Sequence, residues 1–123
     1  MRRAAIWKLI LGASALVIAS YVAWSWHFSL PTIARSLPSN FGEAHEVFHK
    51  RVRVQFPPGA REEDLIHELR ALGFGEVART PNSNFVQIDR GGFSCNYLWR
   101  VIWNTDSDGR TSNLRGLYGA TCL

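Results

Sequence analysis

Residues 45–49 read His-Glu-Val-Phe-His. On a helix, histidines four apart share one face and can hold one zinc ion, with the glutamate as general base on the bound water. His45 and His49 are therefore candidate metal ligands and Glu46 a candidate catalytic base, as in a small zinc peptidase. A catalytic zinc needs a third protein ligand. His67 and Glu68 lie on a separate helical stretch, and no spacing rule selects them. The small-residue and glycine context of the metzincins is absent, because Lys50-Arg51 follows directly. The alternative is that both imidazoles are solvated or interfacial side chains beside a Phe41/Phe48 apolar stripe. On that reading the expected metal and cofactor complement is none.

Asp106-Ser107-Asp108-Gly109 opens like a calcium loop, but the twelfth position, which requires Glu, is Leu117. It reads as a polar hairpin turn. No Gly-x-Ser-x-Gly, no phosphate-binding glycine loop and no Cys/His nucleophile pair in sequence reach occurs. The expected catalytic set is empty.

Cys95 and Cys122 are the two cysteines. Cys95, Tyr97, Trp99, Val101 and Trp103 alternate onto one face of a strand, as do Leu114, Gly116, Tyr118, Ala120 and Cys122. Asp108-Gly109 between them suits a two-residue hairpin turn, where both residues accept positive φ. In that register Trp103 faces Leu114, Val101 faces Gly116, Trp99 faces Tyr118 and Cys95 faces Cys122. A bulge near Gly116 or Gly119 would shift it by one. A disulfide here closes a loop of about 28 residues and contributes roughly 3–3.5 kcal/mol in the chain-entropy model.

The elements that must position these groups begin with an apolar segment. From Leu9 to Leu30 there is no Asp, Glu, Lys or Arg, and Arg2, Arg3 and Lys8 precede it. About 20 apolar residues suffice to cross a bilayer, and flanking cations keep an N-terminus cytoplasmic. Trp7 at one end and Tyr21, Trp24 and Trp26 at the other are placed as membrane-interface aromatics. The alternative is a signal peptide cleaved after Val17-Ile18-Ala19, with Ser20 as the first mature residue. The apolar run continues well past Ala19, which favours an uncleaved anchor.

The chain has 14 Lys and Arg against 10 Asp and Glu, a net charge of +4. Three of the 14 cations precede the apolar segment, so residues 31–123 carry eleven cations, ten acids and a net +1. No Lys/Arg run is longer than the two residues of Lys50-Arg51. Nucleic-acid binding needs a clustered basic face, and none is expected.

Residues 31–40, PTIARSLPSN, read as a linker between an anchor at 1–30 and one α+β domain at 41–123. Phe41, Ala44, Val47 and Phe48 predict a short helix over 41–50. RVRVQF, residues 51–56, alternates and predicts a strand with Val52, Val54 and Phe56 on one face. Glu62, Glu63 and Asp64 open a helix whose stripe is Leu65, Ile66, Leu69 and Leu72, closed by Gly73 with Phe74 in contact beyond it. Phe85–Asp89 predicts a third strand, and Gly91-Gly92 turns into the cysteine strand. The expected fold is about four antiparallel strands packed against one or two helices, burying Trp99, Trp103, Leu69 and Leu72 together.

FPPGAREEDLIHELRALGF followed by WRVIWNTDSDGRTSNLRGLYGATCL resembles small envelope proteins of Gram-negative bacteria, the BamE/SmpA-type modules. The resemblance covers roughly residues 51–123, and the lipoprotein cysteine of that family has no counterpart here. It implies a helix on a small antiparallel sheet and a scaffold or assembly role. The expectation is thus a single-pass protein of the bacterial inner membrane, N-terminus cytoplasmic and C-terminal domain periplasmic. It would serve as a non-catalytic accessory or interaction subunit of a membrane complex, with the lipid bilayer and that complex as partners and no small molecule. A zinc peptidase, or a periplasmic binding module released by signal cleavage, are the alternatives.

Overall fold

A computed structural model describes the backbone of residues 2–27 and 29–123, and their side chains except those of residues 2–4, 26 and 27. Among them are three α-helices and one four-stranded antiparallel sheet. Helix α1 spans Arg2–His27. Its window Ala5–Ser25 is long and apolar enough to cross a membrane, and no part of it is buried. The hydroxyls of Ser14, Ser20 and Ser25 donate back to the carbonyls of Ile10, Leu16 and Val22 at 2.8–2.9 Å. Each hydroxyl is thereby satisfied inside the helix. Trp7, Tyr21 and Trp24 stand exposed near the two ends. The Trp26 side chain lies outside the described residues.

The stretch expected as a linker is packed in its first half. Pro31 is buried only four positions after α1 ends, and Thr32–Ala34 forms a 3-10 turn that buries Ile33 and Ala34 in the core. The Arg51 guanidinium donates to the carbonyls of Ile33 and Arg35, and Arg35 Nε donates to the Leu30 carbonyl.

Helix α2 spans Phe41–Gln55. Asn40 caps it, its side-chain oxygen accepting the Glu43 N–H at 3.1 Å. The strand expected over residues 51–56 is instead the last turns of this helix. Ala44, Phe48, Val52 and Phe56 are buried at a spacing of four, while Val54, which a strand would have buried with Val52, is 78% exposed. The valine alternation in RVRVQF is real but short, and it is also compatible with one buried helical position in four. A capped helix already running prevails until Pro57, whose ring disfavours helical backbone in the residue before it.

Helix α3 spans Glu62–Ala71. Leu65 and Leu69 are buried, and Ile66 and Leu72 pack beside them. Gly73 takes φ 96°. The Gly73 and Phe74 N–H groups return to the carbonyls of Arg70 and Leu69 at 3.0 and 3.1 Å, the two bonds of a glycine-terminated helix end, and Phe74 is buried as expected. No side chain caps the other end. There the Glu62 N–H donates to the Gly109 carbonyl at 2.9 Å, and Thr111 exchanges backbone and hydroxyl bonds with residues 59 and 60. The start of α3 is thereby tied to the C-terminal hairpin.

Strands β1 (Ala78–Arg79), β2 (Asn84–Gly91), β3 (Cys95–Thr105) and β4 (Thr111–Cys122) follow in sheet order 1-2-3-4. Val86, Ile88, Trp99, Val101 and Trp103 form the buried face and join Leu65, Leu69, Phe48 and Val52 in one core. The β3–β4 register departs from the expected turn in two compensating places. The turn has three residues, with Gly109 alone at positive φ, 75°, and Asp106 exchanging backbone bonds with Gly109 and Arg110. Asp106 Oδ1 also accepts the N–H groups of Asp108 and Arg110 at 2.9 and 2.8 Å. Asn104 therefore pairs with Ser112, one residue off the two-residue register. A bulge then sets Trp103 against both Asn113, at φ 50°, and Leu114. From Ile102↔Arg115 onward the register is the expected one, with Val101↔Gly116, Trp99↔Tyr118 and Cys95↔Cys122.

Substitutions distinguish the helix over 51–55 from a strand. Val52→Ala should cost on the order of 2 kcal/mol and Val54→Ala less than about 0.5 kcal/mol in urea unfolding. Equal costs would mean that the two valines share a buried strand face.

Candidate functional site

α2 presents His45 and His49 to strand β4, which is the last in the sheet and would otherwise expose a row of backbone groups. Nδ1 of His49 accepts the Gly116 N–H at 3.2 Å, and Nδ1 of His45 accepts the Tyr118 N–H at 3.3 Å. The spacings match for a physical reason. Four residues of helix rise about 6 Å, two residues of strand about 6.6–6.8 Å, and the imidazole centroids stand 6.4 Å apart with planes inclined by 15°. Two nitrogens on one zinc lie within roughly 4.2 Å of each other, given bonds of about 2.1 Å. Near-parallel rings at this separation do not converge on one ion, and their Nδ1 atoms are already engaged. Glu46 lies between them in the chain and lines a cavity of about 350 Å³ with both histidines. His67 and Glu68 lie on α3 and are exposed. Among the described residues no group of three His, Cys, Asp or Glu side chains is placed to hold a metal.

Gly116 makes this approach possible. A Cβ there would lie 2.9 Å from Val52 Cγ2, 3.0 Å from Phe48 Cδ1 and 3.1 Å from the His49 Cα. The Gly116 and Tyr118 amides point away from β3, so Val101↔Gly116 and Trp99↔Tyr118 are pairs without mutual backbone bonds, the closer type in an antiparallel ladder. Cys95↔Cys122 has the same parity, and its α-carbons stand 4.0 Å apart across the disulfide. Phe41 stacks on Tyr118 at 5.9 Å, Tyr118 meets Trp99 at 5.3 Å, and Trp99 meets Tyr97 at 6.5 Å. Burial, with the neighbouring Tyr97, raises the Tyr118 phenol above its ordinary range.

A second cavity, of about 570 Å³, continues along the seam from His49. Arg53 reaches it from α2, Phe56 and Pro58 from the turn beyond, and Asn113, Leu114 and Arg115 from the bulged part of β4. The bulge thus shapes one wall.

Glu62 forms the other polar centre. Its Oε1 accepts from Thr105 Oγ1 and Arg79 at 2.9 Å, from Trp103 Nε1 at 3.0 Å and from Asn84 Nδ2 at 3.2 Å. Burial alone would push this carboxyl up. The bonds from Arg79, Trp103 and Thr105, with the charge of Arg79, outweigh it and hold the group below the usual carboxylate range.

The sequence alone assigned Glu62 to the helix dipole and left Arg53, Asn113 and Arg115 without a role. Gly116 carried the one usable signal, since a glycine inside a strand marks either a bulge or a close approach. No family model, curated protein or solved structure matches the chain.

Gly116→Ala should cost about 1–3 kcal/mol through the clash with α2. Gly119→Ala, where nothing lies within 4 Å of the added carbon, should stay within about 0.5 kcal/mol of the parent in the same denaturation measurement. Glu62 makes the acid limb of stability testable. Because its folded value is depressed, its contribution is complete above the unfolded value of about 4.5 and is lost as pH falls through the folded value. Glu62→Gln should cost on the order of 2 kcal/mol at pH 7, and the gap to the parent should narrow below pH ~4.5. A gap independent of pH would mean that the charge on Glu62 is not what the four donors require.

Proposed function

We propose that this chain is a membrane-anchored envelope protein that works by contact, as an accessory or assembly subunit of a membrane complex. The supporting observation is α1: its 21-residue apolar window is wholly exposed, and Pro31, four residues beyond its end, is already buried. A helix of that composition finds its solvent in a bilayer, and the short connection holds the α+β domain close to it. In this reading the three cations before the apolar run face the cytoplasm and the disulfide lies in the oxidising periplasm. The sheet face away from α2 and α3 supports a contact role. Phe85, Leu98, Ile102 and Leu117 lie there half-buried, and the Arg100 guanidinium covers the Phe85 ring at 4.1 Å. That mixture of apolar and cationic groups suits a protein neighbour with apolar and acidic groups.

Membrane fractionation, N-terminal sequencing and crosslinking of the full chain at native abundance test this together. The chain should pellet with membranes through an alkaline wash, keep its N-terminal residues and crosslink to a membrane protein. A mature N-terminus at Ser20 would replace the anchor with a released periplasmic module, and recovery as a lone monomer would sink the contact role.

A further inference from the structure

We infer that the 570 Å³ cavity between α2 and the bulged part of β4 is a binding site for a phosphate ester. Three observations converge there. Arg53 and Arg115 both line it, one from the helix and one from the edge strand, and both are exposed. Neither has an ion pair among the described residues, and no Asp or Glu lines the cavity. Two guanidiniums and no acid in its lining leave this cavity cationic, Glu46 lining instead the smaller neighbouring cavity that Arg115 also borders, and planar guanidinium forks suit phosphate oxygens.

The seam also fixes the third group. Because His49 Nδ1 accepts the Gly116 amide proton, the proton of the neutral ring resides on Nε2. The edge-capping bond thus makes His49 an N–H donor at its free nitrogen, rather than a ring with interchangeable tautomers. The bulge supplies the remaining piece. Asn113 holds a left-handed φ of 50°, and such bulges redirect side chains beside sites. Asn113 lines the same cavity.

The volume and floor extend the ligand class beyond inorganic phosphate. A space of about 570 Å³ lies in the range of small-molecule sites. Phe56, Pro58 and Leu114 give it an apolar wall. The fit is a phosphate ester whose organic part rests on that wall, such as a soluble sugar or glycerol phosphate or the headgroup of an anionic phospholipid. The site does not depend on the membrane reading, because every group that forms it belongs to the folded domain.

The full chain in phosphatidylcholine nanodiscs, titrated with glycerol phosphate at constant ionic strength, tests the site by NMR. Saturable shifts confined to residues 113–116 and the His49 ring are expected, with no such shifts from chloride. The double variant Arg53→Gln/Arg115→Gln should weaken binding at least about tenfold with the rest of the spectrum unchanged, and Lys at both positions should restore it only in part. The same shifts appearing only when the discs contain phosphatidylglycerol would assign the ligand to the lipid headgroup. Absence of saturable shifts with both probes, equal shifts from chloride, or unaltered binding by the double variant would overturn the proposal.

Discussion

The fold depends on the match between one helical turn and two residues of strand. β4 ends the sheet, and its outward amides at Gly116 and Tyr118 need acceptors that the sheet does not supply. α2 meets them with imidazole nitrogens at the only helical spacing that stays in step with a strand over two amides. Everything on that side follows from the helix being held there. Gly116 must lack a side chain, Phe48 and Val52 seal the core against the same strand, and Phe41 stacks on Tyr118 at the near end. The arrangement also protects an edge that would otherwise invite pairing with another chain.

This gives the His-Glu-Val-Phe-His segment a structural occupation. Two histidines four apart suit zinc when their rings converge, and suit a strand edge when they remain parallel. The sequence is the same in both cases, because spacing along a helix fixes which face residues share but not what lies opposite that face. The partner here is backbone N–H, a donor, so the rings serve as acceptors through Nδ1.

The sheet is held in register by two agents of different origin. The disulfide fixes the far end of the β3–β4 ladder, and the three-residue turn fixes the near end. These ends are out of step by one residue, and the bulge at Asn113 absorbs the difference. Trp103 opposite the bulge stays on the buried face by the alternation of β3, with its indole N–H reaching Glu62. Glu62 in turn binds the start of α3 to β1, β2 and β3 through Arg79, Asn84, Trp103 and Thr105. The hairpin, the bulge and the polar centre therefore form one mechanical unit around the end of the sheet opposite the disulfide.

The sequence by itself determined those features whose physics is local. The apolar stretch specified α1, because length and composition alone decide it. The leucine stripe with Gly73 specified α3, and alternation specified β3 and β4. The pairing of Cys95 with Cys122 was also legible, although the two-residue turn used to reach it was not the turn that forms. The last turns of α2 were not legible, because a four-residue valine alternation fits either period and the helix running in from Asn40, with Val52 seated against Gly116, prevails. Nor was the role of Glu62, Arg53 or Arg115, since charged side chains carry no mark of the neighbours that will meet them. Those meetings are set by the tertiary structure, where α2, α3 and a bulged strand close on one another and supply partners more than forty residues away in the chain.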